Sequence, residues 1–218
     1  MGASKQKGVF YDLCQKYKTW IIEYNSSNIG FPVYMVWLTD GVDDNQDKFI
    51  INEEDQIIAA TKPEKLLQYL AQGNGLLLDA DNTQKWLLHS TDIPVYPSYE
   101  CPIDWLIDGV NTKRTTQEWF SEMTNFINFF RDYGEQLKDD MLIKLYKTPE
   151  LQKAWDFFYE EMFWPEFKTA EKTDRKTDRE TDKKNTVVYQ TDFEQLAQEL
   201  NLLITVFENN IEIIEEQA

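Results

Sequence analysis

The sequence is poor in the residues that build most metal and nucleophile sites. It has one histidine, His89, and two cysteines, Cys14 and Cys101, which lie far apart and in no recognisable spacing. Structural zinc needs four closely spaced Cys or His ligands, so such a site is excluded. The cysteines are typical of free, packed thiols in a reducing compartment, with a single disulfide as the alternative. No motif pairs His89 with either thiol for catalysis.

Positive charge is also scarce. The chain holds 22 Lys and Arg against 39 Asp and Glu, for a formal net charge of −17. A protein that neutralises phosphates needs a basic face, so the balance disfavours nucleic acid and anionic membranes as partners. It favours a basic protein partner, or else serves solubility alone. No apolar run approaches the ~20 residues of a membrane span, and no secretory signal opens the sequence, so we expect a cytoplasmic protein.

Glycine-rich phosphate loops are missing, but aromatic residues are abundant. Hydrophobic residues make up 42% of the chain and aromatic residues 14%, which is typical of a globular protein. Strand-like segments precede helix-like ones, with no alternation of the two. This order predicts one α+β domain over residues 1–218, with a small antiparallel sheet or hairpin in the N-terminal half and a mainly helical C-terminal half.

Apolar periodicity assigns the main elements. We expect helices over residues 8–24, 63–71 and 115–137, a helix from Thr148-Pro149 to Pro165, and a last helix from Thr191 to Ile214. A strand is expected over residues 31–40, and two short strands within residues 48–61. Between the last two helices lies EKTDRKTDRETDKK, whose near-balanced charges predict a flexible charged loop over residues 168–185, with a short ion-paired helix as the alternative.

The segment from Asp43 to Glu54 has oxygen ligands at spacings close to those of a calcium-binding loop. Asp43, Asn45, Asp47 and Glu54 take the first, third, fifth and twelfth places. The sixth place, which needs glycine for a sharp turn, holds Lys48, and the flanks read as strands. The preferred interpretation is therefore a solvated hairpin loop, and we predict no metal and no cofactor.

Acidic residues concentrate in this loop and near the C-terminus. From Asp192 to the last residue the chain contains seven carboxylates and no Lys or Arg. Two such regions can create a negative field that steers a cationic partner. The residues that we predict to bind this partner are Asp43, Asp44, Asp47, Glu53, Glu54, Glu208, Glu212 and Glu215.

Several segments carry a resemblance to a known class. They are VYMVWLTDG, KFIINEEDQIIAATKPEKLLQYL, CPIDWLIDGVNTKRTTQEWFSEMTNFI, WDFFYEEMFW and VVYQTDFEQLAQELNLLITVFENNI. Together they resemble acidic bacterial immunity proteins of contact-dependent and polymorphic toxin systems, over residues 30–214 and by hydrophobic pattern. Where that class has a Gly/Asn/Pro-rich loop after the Phe-Trp pair, this chain has the TDR repeat.

The resemblance implies a non-enzymatic protein that binds and neutralises a cognate cationic toxin domain. Two other functions remain open. One is a small-molecule enzyme, such as a hydrolase, whose mark is a pocket where two or three carboxylates converge. The other is a regulatory or scaffold binding module without a toxin.

Overall fold

A computed structural model describes residues 3–76, 78–165 and 188–214. The charged segment over residues 168–185 and Glu215 therefore lie outside the described residues. The strands are β1 Thr19–Asn25, β2 Val33–Asp40, β3 Gln46–Phe49, β4 Ile57–Ala60, β5 Tyr99–Pro102 and β6 Ile211–Ile214. The helices are α1 Ala3–Tyr17, α2 Pro63–Ala71, α3 Ala80–Ser90, α4 Ile103–Asn111, α5 Gln117–Leu137, α6 Asp140–Tyr146, α7 Pro149–Phe157 and α8 Phe193–Asn209, with a π-helical turn at Phe158–Phe163.

The six strands form one mixed sheet in the order β5-β1-β2-β4-β6. Strand β3 pairs with the C-terminal half of β2 and β4 with its N-terminal half, both antiparallel, so β3 and β4 share one position in the sheet. The chain between them leaves the sheet as a short excursion closed by a bridge from Ile51 to Ile57. The two outer pairings, β5 with β1 and β6 with β4, are parallel.

Helices cover both faces of the sheet, because each face of a central strand must be buried. One buried cluster joins α1, α2 and α3 to Ile21, Val36 and Ile58. The larger cluster joins α4 to α8 to the other face, around Phe126 and Phe207. The α+β prediction is confirmed, with most of the sheet in the N-terminal half and most of the helical residues in the C-terminal half.

The predicted helix over residues 8–24 is wrong in its second half. Helix α1 ends at Tyr17, Lys18 adopts a left-handed conformation with φ 47°, and the chain continues as β1. A left-handed residue after the last turn is a common way for a helix to end. The apolar positions of this segment fit helical spacing, but Trp20 and Ile22 are aromatic and β-branched residues that also suit a strand.

The predicted last helix is likewise too long. Helix α8 ends at Asn209, and Ile211–Ile214 becomes β6, which pairs in parallel with β4. The segment IEII can follow either period at this length, so periodicity alone does not separate the two. The free edge of β4 decides the outcome, because the backbone of β6 satisfies its hydrogen bonds there.

Candidate functional site

A cavity of about 370 Å³ opens between the sheet and helix α5. Its walls are the side chains of Trp20, Trp37, Tyr99 and Phe129, and its polar groups are Asp47, Arg131 and Asp132, with Asn125 and Asn128 beside them. We call these residues the aromatic–carboxylate pocket. Pockets of this size with a few convergent polar groups are the usual form of small-molecule and side-chain binding sites.

The sheet builds the aromatic wall. Trp20 on β1 lies directly opposite Trp37 on β2, with their ring centroids 5.2 Å apart. Phe129 continues the wall, with its centroid 5.6 Å from that of Trp37 and 5.5 Å from that of Tyr99. These ring contacts fix one another's orientation, since aromatic pairs at such distances are mutually attractive.

Helix α5 supplies the opposite side through its helical period. Asn125, Asn128, Phe129 and Asp132 are spaced i, i+3, i+4 and i+7, and residues at this spacing share one face of a helix. Asn128 is held by two aromatic partners, because its Oδ1 accepts from the indole of Trp155 at 3.0 Å and its Nδ2 donates to the hydroxyl of Tyr159 at 3.3 Å. The face of α5 that lines the pocket therefore carries polar side chains, and the side chain of Asn128 is held in place by its neighbours.

Asp132 is the most buried polar group of the pocket, at 6% exposure. Its Oδ2 accepts from the indole Nε1 of Trp37 at 3.2 Å, and its Oδ1 accepts from Nη2 of Arg131 at 3.1 Å. The pKa of this carboxyl is raised to about 7, mainly by burial and in smaller part by the charge of Asp47, against the opposing effect of Arg131. Burial dominates because Arg131 makes one contact and is itself about one-third exposed.

Asp47 connects the acidic β2–β3 turn to the pocket. It is half-buried on β3, and its Oδ1 accepts a hydrogen bond from the hydroxyl of Thr39 at 2.6 Å. Its Oδ2 accepts none from any residue that the structure describes. The pocket therefore combines two carboxylates, one of which keeps an unused oxygen, with a single cation, Arg131.

The rest of this turn is organised by a buried lysine. The ammonium of Lys48 lies 2.9 Å from Asp40 and 2.5 Å from Asp43. Lys48 is the residue that stands where a calcium loop needs glycine, and its own charge neutralises Asp43. Asp44, by contrast, is exposed. Among the described residues, no group of three or more His, Cys, Asp or Glu could hold a metal ion.

The predicted residues Glu53, Glu54 and Glu212 lie at one edge of the sheet. Glu53 and Glu54 are exposed at the tip of the excursion between β3 and β4. Glu212 on β6 accepts from Nδ2 of Asn52, at the base of that tip, over 2.8 Å. The tertiary fold therefore joins two acidic segments that are far apart in the chain. Their contact with a partner stays a prediction.

Glu208 has an internal role. It accepts hydrogen bonds from the hydroxyls of Tyr24 and Ser26, at 3.1 and 2.5 Å, and from the amide of Asn28 at 2.9 Å. These contacts tie helix α8 to the end of β1 and the turn that follows it. A carboxylate that accepts three such hydrogen bonds stabilises the fold and has little remaining capacity to bond to a partner.

The histidine is exposed and stacks on an aromatic ring, whereas the cysteines are buried. His89 stacks on the ring of Tyr17, with the centroids 5.8 Å apart. Cys14 and Cys101 are free, buried thiols, and burial raises the pKa of each. A raised pKa keeps the thiol protonated and unreactive. In the described part of the chain, no helix has both the length and the apolarity to cross a bilayer.

The pocket is not predicted from the sequence alone. The helix predicted over residues 8–24 includes Trp20, Trp37 belongs to a predicted strand, and no role is predicted for Asn125, Arg131 or Asp132. One signal is present in the sequence: polar residues at positions 125, 128 and 132 share one face of an amphipathic helix. Such a stripe predicts a half-buried polar contact, but not which strand residues complete it.

Comparisons with known proteins inform the fold. No family model matches the chain, and no curated protein matches its sequence. Among solved structures, the crystal structure of the SatS C-terminal domain in complex with bromine is similar, with a TM-score of 0.57 and 14% sequence identity. The match covers 93% of this chain and 97% of that chain. A likeness at this identity concerns the fold alone, and this chain shares its fold with that domain.

Proposed function

We propose that this protein is a non-enzymatic binding protein of the immunity type, which captures and neutralises a basic toxin domain. One observation carries the proposal: Asp47, on β3 next to the acidic β2–β3 turn, and Asp132 face the same aromatic-walled cavity. Aromatic faces and carboxylates are the two groups that attract a cationic side chain. An acidic protein with such a cavity is suited to a basic partner.

The charge distribution supports the same function. The formal net charge of −17 attracts a cationic partner over a distance, and such fields raise association rates by ~10–10³. Glu53, Glu54 and Glu212 add a second acidic surface at the β4–β6 edge. In this proposal the field steers the toxin domain, and the pocket holds one of its side chains.

The test is co-expression with the protein encoded immediately upstream of this one. We expect the neighbour to inhibit growth alone, and growth to return when both are produced. The purified pair should form a complex whose affinity falls with added salt, because exposed charges are screened beyond about 8 Å at 0.15 M ionic strength. A neighbour that is neither toxic nor bound would refute the proposal.

A second function is favoured by one specific feature, the Asp47 and Asp132 pair. A carboxyl whose pKa is raised to about 7 next to a second carboxylate resembles the acid and base of hydrolytic sites. Turnover of chromogenic glycosides or esters, lost in both Asp47→Asn and Asp132→Asn, would establish this enzyme. Turnover that survives either change would not involve the pair.

A further inference from the structure

We propose that the aromatic–carboxylate pocket is an arginine-selective site, which takes one arginine side chain of the basic partner in preference to lysine. This inference deepens the proposed function and rests on it for the identity of the partner. The recognition itself depends only on groups that surround the cavity.

The first reason is the shape and character of the walls. Trp20 and Trp37 on the sheet and Phe129 on α5 form a series of contacting aromatic rings that lines the cavity. A planar guanidinium stacks on such faces and is weakly hydrated, so it loses little on entering. A lysine ammonium is a compact, strongly hydrated charge, and the same walls replace its water poorly.

The second reason is the arrangement of acceptors. Both oxygens of Asp132 are used once, by Trp37 and Arg131, and Oδ2 of Asp47 accepts no hydrogen bond from the described residues. A carboxylate oxygen can accept a second hydrogen bond. We therefore expect an entering guanidinium, with five N–H donors in a fixed fork, to bond to both carboxylates, which three ammonium donors at one point do less well.

The third reason is the charge of the pocket. Two carboxylates face the cavity and Arg131 is the one cation among its lining residues. Beyond the lining, the negative charge of Glu135 also raises the pKa of Arg131, and this carboxylate accepts a hydrogen bond from the hydroxyl of Tyr146 at 2.9 Å. A single incoming cation would balance the two carboxylates and relieve the repulsion between Asp47 and Asp132.

Ligand binding to this pocket should depend on pH. Because the pKa of Asp132 is raised to about 7, part of the pocket charge is missing below neutral pH. An arginine ligand binds the ionised form, whose fraction rises from about a tenth at pH 6 to about nine tenths at pH 8. Binding should therefore tighten about tenfold over this range. A neutral ligand would show no such dependence, and an anionic ligand would show the reverse.

The experiment uses the full chain and three blocked tripeptides, with arginine, lysine or citrulline between two glycines. Citrulline has nearly the same shape as arginine but no charge. Binding is followed through the indole N–H signal of Trp37 in NMR spectra at pH 6 and pH 8. We expect the arginine peptide to bind about tenfold more tightly than the lysine peptide, and the citrulline peptide to cause no saturable shift.

Variants separate the pocket from the general acidic field. Asp47→Asn and Asp132→Asn should each weaken arginine binding at least tenfold at pH 8, and Asp132→Asn should also remove the pH dependence. Asp92→Asn removes the same charge from an exposed position beyond α3, on the opposite face of the sheet, and should bind as the unmodified chain does. Equal weakening by all three variants, or equal binding of arginine and citrulline, would overturn the inference.

The two proposals can fail separately. If the upstream partner binds but Asp47→Asn and Asp132→Asn leave its affinity unchanged, the pocket is not its arginine site and the immunity function stands. If the arginine peptide binds as expected but no toxin is captured, the pocket is a cation site of a protein with another function. The peptide comparison in the unmodified chain does not depend on the folding of any variant.

Discussion

Replacing Asp132 with Asn should stabilise the protein progressively as the pH rises from about 4 to about 7, relative to the unmodified chain. Burial raises the pKa of the Asp132 carboxyl from 3.8 to about 7 in the folded protein. In the unfolded chain this carboxyl ionises near its ordinary pKa, so between these values the folded state holds one more proton. The stability linked to that proton is fully present below ~pH 4 and is lost as the pH rises to 7.

The magnitude follows from the interval between the two pKa values. Roughly three pH units separate them, and each is worth about 1.4 kcal/mol, so the free energy of unfolding should lose ~4 kcal/mol through Asp132. Asparagine does not ionise, so Asp132→Asn escapes this loss. Exchanging a neutral carboxyl for an amide also changes the free energy of unfolding, but this change is the same at every pH.

The assay is urea unfolding of the unmodified chain, Asp132→Asn and Asp92→Asn from pH 4 to pH 8. The difference in unfolding free energy between Asp132→Asn and the unmodified chain should rise across this range and become constant above neutral pH. Asp92 is exposed, so Asp92→Asn should run parallel to the unmodified chain. If Asp132→Asn also runs parallel, Arg131 keeps the carboxylate ionised and burial does not dominate.

Three further changes test the packing that positions the site. Gly109→Ala would make its Cβ overlap the indole ring of Trp119, which is fully buried, and should lower the free energy of unfolding by about 3 kcal/mol in denaturant unfolding. A loss below about 0.5 kcal/mol would mean that the ring moves freely. Glu208→Ala removes the acceptor of Tyr24 and two other donors and should cost ~2–3 kcal/mol without changing partner affinity, so an affinity loss at unchanged stability would place Glu208 in the interface. Asp192→Ala removes the side chain that accepts hydrogen bonds from two backbone amides at the start of α8, and it should lower the unfolding free energy by ~1 kcal/mol. Asp192→Asn keeps an acceptor oxygen at this position and should therefore lose much less stability.

Long, strongly periodic segments could be predicted from the sequence. The helix predicted over residues 115–137 is α5, which spans Gln117–Leu137 and buries Trp119, Phe126 and Phe130. Strand β2 was expected over residues 31–40 and spans Val33–Asp40. Each has one period, strong apolar positions and clear breaks at its ends, so local chemistry and tertiary packing favour the same structure.

Short segments near other elements could not be predicted in the same way. Residues 19–25 and 211–214 have apolar patterns that fit a helix or a strand, and each joins the sheet because a neighbouring strand has unpaired backbone groups. The first residue of a helix also could not be predicted to within one position. The sequence predicts that helices begin at Thr115 and Thr191, but the side chains of Thr116 and Asp192 accept the first backbone hydrogen bonds. A one-residue shift of a cap depends on the path of the incoming chain.

The sequence by itself determined the α+β class, the long helices, the acidity that favours a basic partner and the lack of zinc-type ligand spacing. Only the tertiary structure decided which of the many carboxylates share a cavity. Asp47 and Asp132 are 85 positions apart in the chain, and the pairing of β2 with β3 and the packing of α5 bring them to one cavity. The physical reason is that burial and proximity set the pKa and the free oxygens of a carboxylate, and both are properties of the fold, not of the residue.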